Sequence, residues 1–347
     1  MLEWLYHFGL FVAEVAIIVV AIGIVIGLIA RQKSQRGERE AALVIRDRGE
    51  HFRKRQQRLA LARLSSAQAE KAQKAWDKEE KQKAKQQKKQ PAEGKKAVWV
   101  VDFNGDIRAS ATPELSEQIS AILLAAQKGD EVVVRLESGG GLVHAYGLAS
   151  SQLDRLRHAD LTLTVCVDKV AASGGYMMAC CADHLVAAPF AVVGSIGVVA
   201  QIPNIHRLLK KNDVDVDVLT AGKHKRTLTM LGENTEEGRE KFLEDLADTH
   251  ALFKRFVGER RPQLAIDDIA TGDTWYGSEA VDNGLIDEVG TSEEYLQRAS
   301  QQAKVLEIAL KKPRSLSQRL GKQSSAAIER GVDRAFERLA RLSWEKH

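Results

Sequence analysis

Cysteine is scarce in this 347-residue chain. Its three copies, Cys166, Cys180 and Cys181, show no metal-ligand spacing and no even count for a disulfide set. A disulfide-stapled fold and a cysteine metal centre therefore find no support, and the three read as core residues in apolar surroundings. No Gly-x-Gly-x-x-Gly and no Gly-Lys-Ser/Thr follows a strand-like run, which argues against a nucleotide site. The first 30 residues hold no lysine or arginine. Only one apolar run is long enough to cross a bilayer. A second, Pro189 to Val199, is too short and too broken by glycine, and reads as core lining.

The long run is Phe8 to Ala30, 23 residues with Glu14 as the single charge. At about 1.5 Å per residue it spans a hydrocarbon core of about 30 Å. No basic residue precedes it and no small-x-small cleavage site follows, so it reads as an anchor (residues 1–30) and not as a cleaved signal peptide. Trp4 and Tyr6 suit an interfacial belt. Arg31, Lys33, Arg36 and Arg39 follow at once, which places the remaining chain in the cytoplasm by the positive-inside rule.

The formal net charge of +4 conceals a strong asymmetry. Residues 31–96 carry 21 Lys/Arg against 9 Asp/Glu, whereas everything after residue 96 is net acidic. Glycine and proline are rare there until Pro91-Ala92-Glu93-Gly94, and Phe52 and Trp76 are the only aromatics. That composition predicts a basic linker, helical or disordered, touching lipid headgroups at most. Without interleaved aromatics it is a poor nucleic-acid surface, and no nucleic-acid partner is expected.

With 44% hydrophobic residues the chain can bury a real core, and that core starts at Ala97. Ala97–Asp102 reads as a buried strand. Thr112-Pro113 reads as N-cap and first turn of a helix carrying Leu115, Ile119, Ile122, Leu123 and Ala126 on one face. Glu131–Leu136 is a second strand. Glu137-Ser138-Gly139-Gly140-Gly141 then leads into a helix through Leu142, Ala145, Leu148, Leu153 and Leu156. Strands follow at Leu161–Asp168 and His184–Ala188. Val214–Leu219 alternates with aspartates as a half-exposed strand does, and a long helix covers about 235–260. Alternating strands and helices with long connections predict an α/β fold with parallel strands over residues 97–310. Residues 311–347 close with an amphipathic helix through Ile328, Val332, Phe336, Leu339 and Leu342, suited to packing or assembly.

The chemistry centres on Val170-Ala171-Ala172-Ser173-Gly174-Gly175-Tyr176. A serine between a strand and a helix start sits beside unpaired backbone N–H groups, and such groups stabilise an oxyanion. The glycine turn 139–141 presents the same kind of donor. A serine nucleophile needs a base. His144, His184, His206, His224 and His250 are scattered, and none sits in a recognisable site sequence. A lysine serves where desolvation or nearby positive charge lowers its pKa from about 10.4 toward neutrality. Lysines are too numerous for spacing to choose among them. Ser195 is a weaker second nucleophile candidate.

Together, Glu137 to Gly141, Val170 to Tyr176, Val193 to Val198, Ala221 to Arg226, Trp275-Tyr276-Gly277 and Gly284 to Glu288 resemble the signal peptide peptidase A family of serine peptidases, in its SohB-like branch. The resemblance covers residues 98–310. It implies a ClpP/crotonase-like fold of repeated β-β-α units. It implies Ser173 as nucleophile, Lys225 as general base, and an oxyanion hole from backbone N–H groups near Gly140, Gly141 and Gly174. It also implies a homo-oligomeric ring with Ser and Lys drawn from neighbouring subunits, on a bacterial inner membrane. Some relatives work in the periplasm, against the cytoplasmic side that the flanking charges favour. Peptides, signal-peptide remnants or apolar stretches of misfolded proteins are the implied substrates, with no metal or cofactor. The family usually has Ser-Pro-Gly-Gly at the first loop. Gly139 stands in the proline position here, which implies a softer oxyanion hole. Two rivals stand beside this reading: an acyl-CoA enzyme of the same fold, and a membrane scaffold whose peptidase site has decayed.

Overall fold

A computed structural model of the chain describes residues 42–89, 96–222 and 224–311. The expected membrane span and the amphipathic C-terminal helix lie outside these residues. Among the described residues no helix is long and apolar enough to cross a membrane.

The elements in chain order are β1 (Ala42–Asp47), α1 (Arg48–Ala62), α2 (Ser66–Lys89), β2 (Ala97–Gly105), α3 (Thr112–Ala125), β3 (Glu131–Ser138) and α4 (Val143–Arg157). Then come β4 (Thr162–Val167), β5 (Val170–Ala172), α5 (Gly174–Ala179), β6 (His184–Ala187), β7 (Val192–Gly194) and α6 (His206–Lys211). The last are α7 (Glu236–Arg260), α8 (Ile266–Ile269), β8 (Thr274–Tyr276), α9 (Gly277–Ala280), β9 (Glu288–Val289), α10 (Ser292–Ala299) and β10 (Lys304–Lys311). By its contacts the chain divides into two units, residues 45–309 and a second made of 1–44 with 310–347. The first holds both core clusters and the site. Of the second, only 42–44 and 310–311 are among the described residues.

The main sheet runs β10-β2-β3-β4-β6-β9, with every neighbouring pair parallel. Parallel strands joined by helices are covered on both faces, which explains their nearly continuous apolar sequence. The period of two assigns the faces. Val132 and Val134 of β3 join Phe103 and the helices α3 and α4 in the larger core cluster. Val133 between them faces the other way, with Val98, Val100, Cys166, Val186 and Leu296. The α/β class with parallel strands is thus present as expected.

Four local expectations need correction. Val214–Leu219 forms no strand and lies largely exposed. Alternation signals a strand only where an edge is available to pair, and no described strand lies beside it. The buried face of α4 is Tyr146, Ala149, Leu153 and Leu156, with Leu142 and Leu148 exposed. Leu142 is the N-cap, outside the helix, so the 3–4–3 spacing starts at Tyr146 and turns the face away from Leu148. The α3 N-cap is Ala111, one residue before the expected Thr112, whose hydroxyl donates to the Ala109 carbonyl (2.7 Å) instead of capping. Finally, the basic stretch 31–96 contains more than a linker. Within it lies β1, a strand of the same ten-stranded sheet. Asp47 caps α1 through the Glu50 N–H (2.8 Å), and Phe52 packs on the second core cluster. The short apolar run Ala42–Ile45 is diluted in composition by the charges around it.

Candidate active site

Three parallel strands end side by side. Ser138 at the end of β3 pairs with Ala171 of β5, and Ala171 pairs with Val193 of β7. The carboxyl ends of parallel strands are where ligands usually meet an α/β sheet. The turns leaving these three ends carry Gly139–Gly141, Ser173 and Ser195.

Ser173 joins β5 to α5 at φ 53°, ψ −119°. A non-glycine residue rarely takes a positive φ, and the surroundings hold it there. Its N–H donates to the Gly194 carbonyl (2.8 Å), and its own carbonyl accepts from the Met177 N–H (2.9 Å). The side chain is half-buried, and its hydroxyl makes no hydrogen bond among the described residues. Gly174 and Gly175 follow because nothing larger fits. A Cβ on Gly174 would come within 2.5 Å of the Tyr146 ring, and one on Gly175 within 2.4 Å of the Ser138 carbonyl. Ser195 repeats the strain at φ 52°, with its N–H on the Asp273 carbonyl (2.6 Å).

The glycine turn presses against the serine. A Cβ on Gly140, at φ 89°, would come within 2.7 Å of the Ala172 carbonyl, the Gly174 nitrogen and the Ser173 Cβ. The Gly140 N–H is engaged, donating to Ser138 Oγ (3.1 Å). The N–H groups of Gly141 and Gly174 carry no hydrogen bond among the described residues. Two amides are thus unpaired, that of Gly174 next to Ser173 in the chain and that of Gly141 in the turn whose Gly140 packs against Ser173. Gly141 itself abuts Ile107, whose carbonyl accepts from the Leu142 N–H (2.9 Å).

The Lys225 N–H donates to the Gly222 carbonyl (3.1 Å), and its side chain is exposed with no ion pair among the described residues. Lys169, nearer in sequence to Ser173, is already committed to Glu137, with both carboxylate oxygens at 3.1 Å. No described histidine bonds to Ser173. His184 meets Glu288 (3.0 Å) and His250 meets the Ile196 carbonyl (3.2 Å). No cluster of His, Cys, Asp or Glu fit to hold a metal occurs among the described residues. Burial raises the Cys166 and Cys180 thiols well above their ordinary range, as inert core cysteines require. Sequence reading singled out neither Ser138 nor Tyr146 as a working residue. Ser138 stood inside the glycine motif, but nothing in the sequence pairs it with a tyrosine eight residues on.

A strained serine at a helix start, beside a glycine turn and unpaired amides, is a layout that acyl-transfer hydrolysis uses. The chain belongs to peptidase family S49. Residues 3–153 match the Peptidase family S49 N-terminal model and residues 155–306 match the Peptidase family S49 model. The protein named "Probable protease SohB" in Haemophilus influenzae is 49% identical over 324 residues, 91% of this chain and 92% of that protein. Two proteins of the same name come from Buchnera aphidicola. That of subspecies Schlechtendalia chinensis is 59% identical over 199 residues, 57% of this chain and 65% of that protein. That of subspecies Acyrthosiphon pisum is 56% identical over 202 residues, 58% of this chain and 60% of that protein. Ser173 lies in the second family match, and the glycine turn 139–141 in the first.

Proposed function

We propose that this peptidase is a membrane-anchored serine endopeptidase with a Ser173/Lys225 dyad. The observation that carries this reading is the strained Ser173, its hydroxyl unengaged, with the unpaired Gly174 amide next in the chain and the glycine turn packed against it through Gly140. Lys225 in its neutral form takes the Ser173 proton. The alkoxide attacks a peptide carbonyl, and the oxyanion is held by the Gly141 and Gly174 N–H groups. Lys225 then protonates the leaving amine, and water hydrolyses the ester by the reverse route.

Exposed Ile107, Leu142 and Val143 border the glycine turn and favour apolar substrate segments, such as signal-peptide remnants or stretches of misfolded protein. The anchor at residues 8–30 holds the enzyme at a bacterial inner membrane, with the flanking charges favouring a cytoplasmic domain. The dyad is shared between subunits of a homo-oligomeric ring. In support, Lys225 sits in a segment that exposes Val199, Leu208, Val218 and Leu219, apolar surface that a second copy would cover.

The test is hydrolysis of unfolded and apolar peptides by the purified chain, by Ser173→Ala, by Lys225→Ala, and by the two variants co-assembled. Each variant alone should be inactive, and the mixture should regain activity. Wild-type rates in either variant would overturn the dyad. Single-variant inactivity without recovery in verified mixed oligomers would overturn the shared site.

A further inference from the structure

Tyr146 is fully buried, and its phenol lies where three pieces of the site meet. Its Oη is 2.7 Å from the Asp106 carbonyl and 2.5 Å from Ser138 Oγ. Ser138 Oγ in turn accepts from the Gly140 N–H (3.1 Å). The proton positions follow from chemistry. A carbonyl only accepts, so the phenol proton points at Asp106. The Ser138 proton must then point at the phenol oxygen, leaving a Ser138 lone pair for Gly140. The chain of donors runs Gly140 N–H, Ser138 O–H, Tyr146 O–H, Asp106 C=O. The same tyrosine ring is the surface against which Gly174 sits without a Cβ. Gly105, paired with Ser138 in the sheet, has no room for a Cβ because the Tyr146 and Ser138 oxygens occupy that space. One side chain thus fixes both the turn carrying Gly141 and the helix start carrying Gly174.

This arrangement answers a physical problem. Three consecutive glycines have high conformational entropy, yet Gly141 must hold its amide at a fixed place if it is to meet an oxyanion. Among the described residues, the Gly140–Ser138 bond is the only hydrogen bond made by the backbone N–H groups of the turn 139–141. We infer that Tyr146, acting through Ser138, is the positioning residue that sets the Gly139–Gly141 turn against Gly174. This inference rests on the oxyanion role proposed above. Substrate binding would not feel the relay strongly, whereas the transition state would.

The experiment uses the full chain in mild detergent, an apolar fluorogenic peptide, and a peptidyl fluorophosphonate to count reactive serines. In Tyr146→Phe, kcat per titrated site should fall about 10- to 100-fold, the scale expected of a slightly misplaced group, with KM nearly unchanged. Ser138→Ala should act the same way and should speed amide exchange at Gly140; it carries the test if the phenylalanine variant folds poorly. Gly139→Pro in the Tyr146→Phe background should recover part of kcat. Gly139 has no positive φ, nothing within 4 Å of its Cβ position and no bonded N–H, so proline stiffens the turn without displacing a contact. A merely structural tyrosine would lower the number of titratable sites and leave kcat per site intact, and that result overturns the inference. So does a loss confined to KM. Ser173→Ala run alongside tests the serine reading separately. Wild-type activity there sinks that reading, and the exchange rate of the Gly140 amide in Ser138→Ala then decides the relay.

Discussion

Gly140 and Gly258 show how differently one residue type can matter. Gly140 combines φ 89° with three atoms at 2.7 Å from its Cβ position, two of them backbone. Gly140→Ala must therefore move either Ser173 or Gly174. The expected outcome is a fall of about 100-fold or more in kcat/KM, measured with the fluorogenic peptide, because small displacements at a reacting centre carry that scale of penalty. Gly258 lies in α7 with nothing within 4 Å of its Cβ position. Gly258→Ala should stabilise the chain by about 0.5–1 kcal/mol in urea unfolding, since it removes backbone freedom from the unfolded state and adds no clash. Sequence alone sets Gly140 in a glycine-rich turn, but neither its crowding nor the open space at Gly258 can be read there.

At the scale of elements, a clamp built on the buried Arg261 ties α7 to the sheet. Arg261, the C-cap of α7, donates from Nη1 to Asp287 Oδ2 (2.8 Å) and from Nη2 to Asp287 Oδ1 (2.9 Å) and the Gly284 carbonyl (2.9 Å). Asp287 Oδ2 also accepts the Leu185 N–H of β6 (2.7 Å). The clamp reaches α5 through Tyr176, whose hydroxyl donates to the Leu285 carbonyl (2.8 Å). Burial works to raise the Asp287 carboxyl, but the Arg261 and Leu185 donors outweigh it and hold it below the usual carboxylate range. A carboxyl depressed in the folded state stabilises the protein above its unfolded pKa of about 3.9, and that stability drains away as pH falls through the lower folded value. Asp287→Asn should thus lower stability at pH 7 and flatten the acid limb of a urea-unfolding series taken from pH 7 to pH 3. An unchanged acid limb would mean that other carboxylates carry the acid sensitivity.

For the whole molecule, the apolar surface of the segment around 190–232 is the feature that one copy leaves unresolved. Leu219 is 92% exposed, Val199 84% and Phe190 83%. In the proposed ring, a subunit interface would cover this patch and enclose the exposed Lys225. Leu219→Glu should lower the oligomer mass measured by light scattering and abolish peptide hydrolysis together. A full-sized oligomer with normal activity would remove this residue from the interface.

The sequence by itself determined the α/β class, the strand–turn–helix that carries Ser173, the glycine turn, the buried cysteines and the long α7. Each of these is written locally, in apolar period or in residues with special backbone demands. It did not determine the edges. Val214–Leu219 alternates like a strand and pairs with nothing described, because pairing depends on which edge is free. Ala42–Asp47 is hidden among charges and is nonetheless a strand of the sheet. Above all, only tertiary structure decided that Tyr146 would face inward instead of Leu148, and that its hydroxyl would meet Ser138 and the Asp106 carbonyl. Those partners are 8 and 40 residues away from it in sequence. A hydrogen bond depends on where two atoms come to rest, and no local pattern in the chain records that.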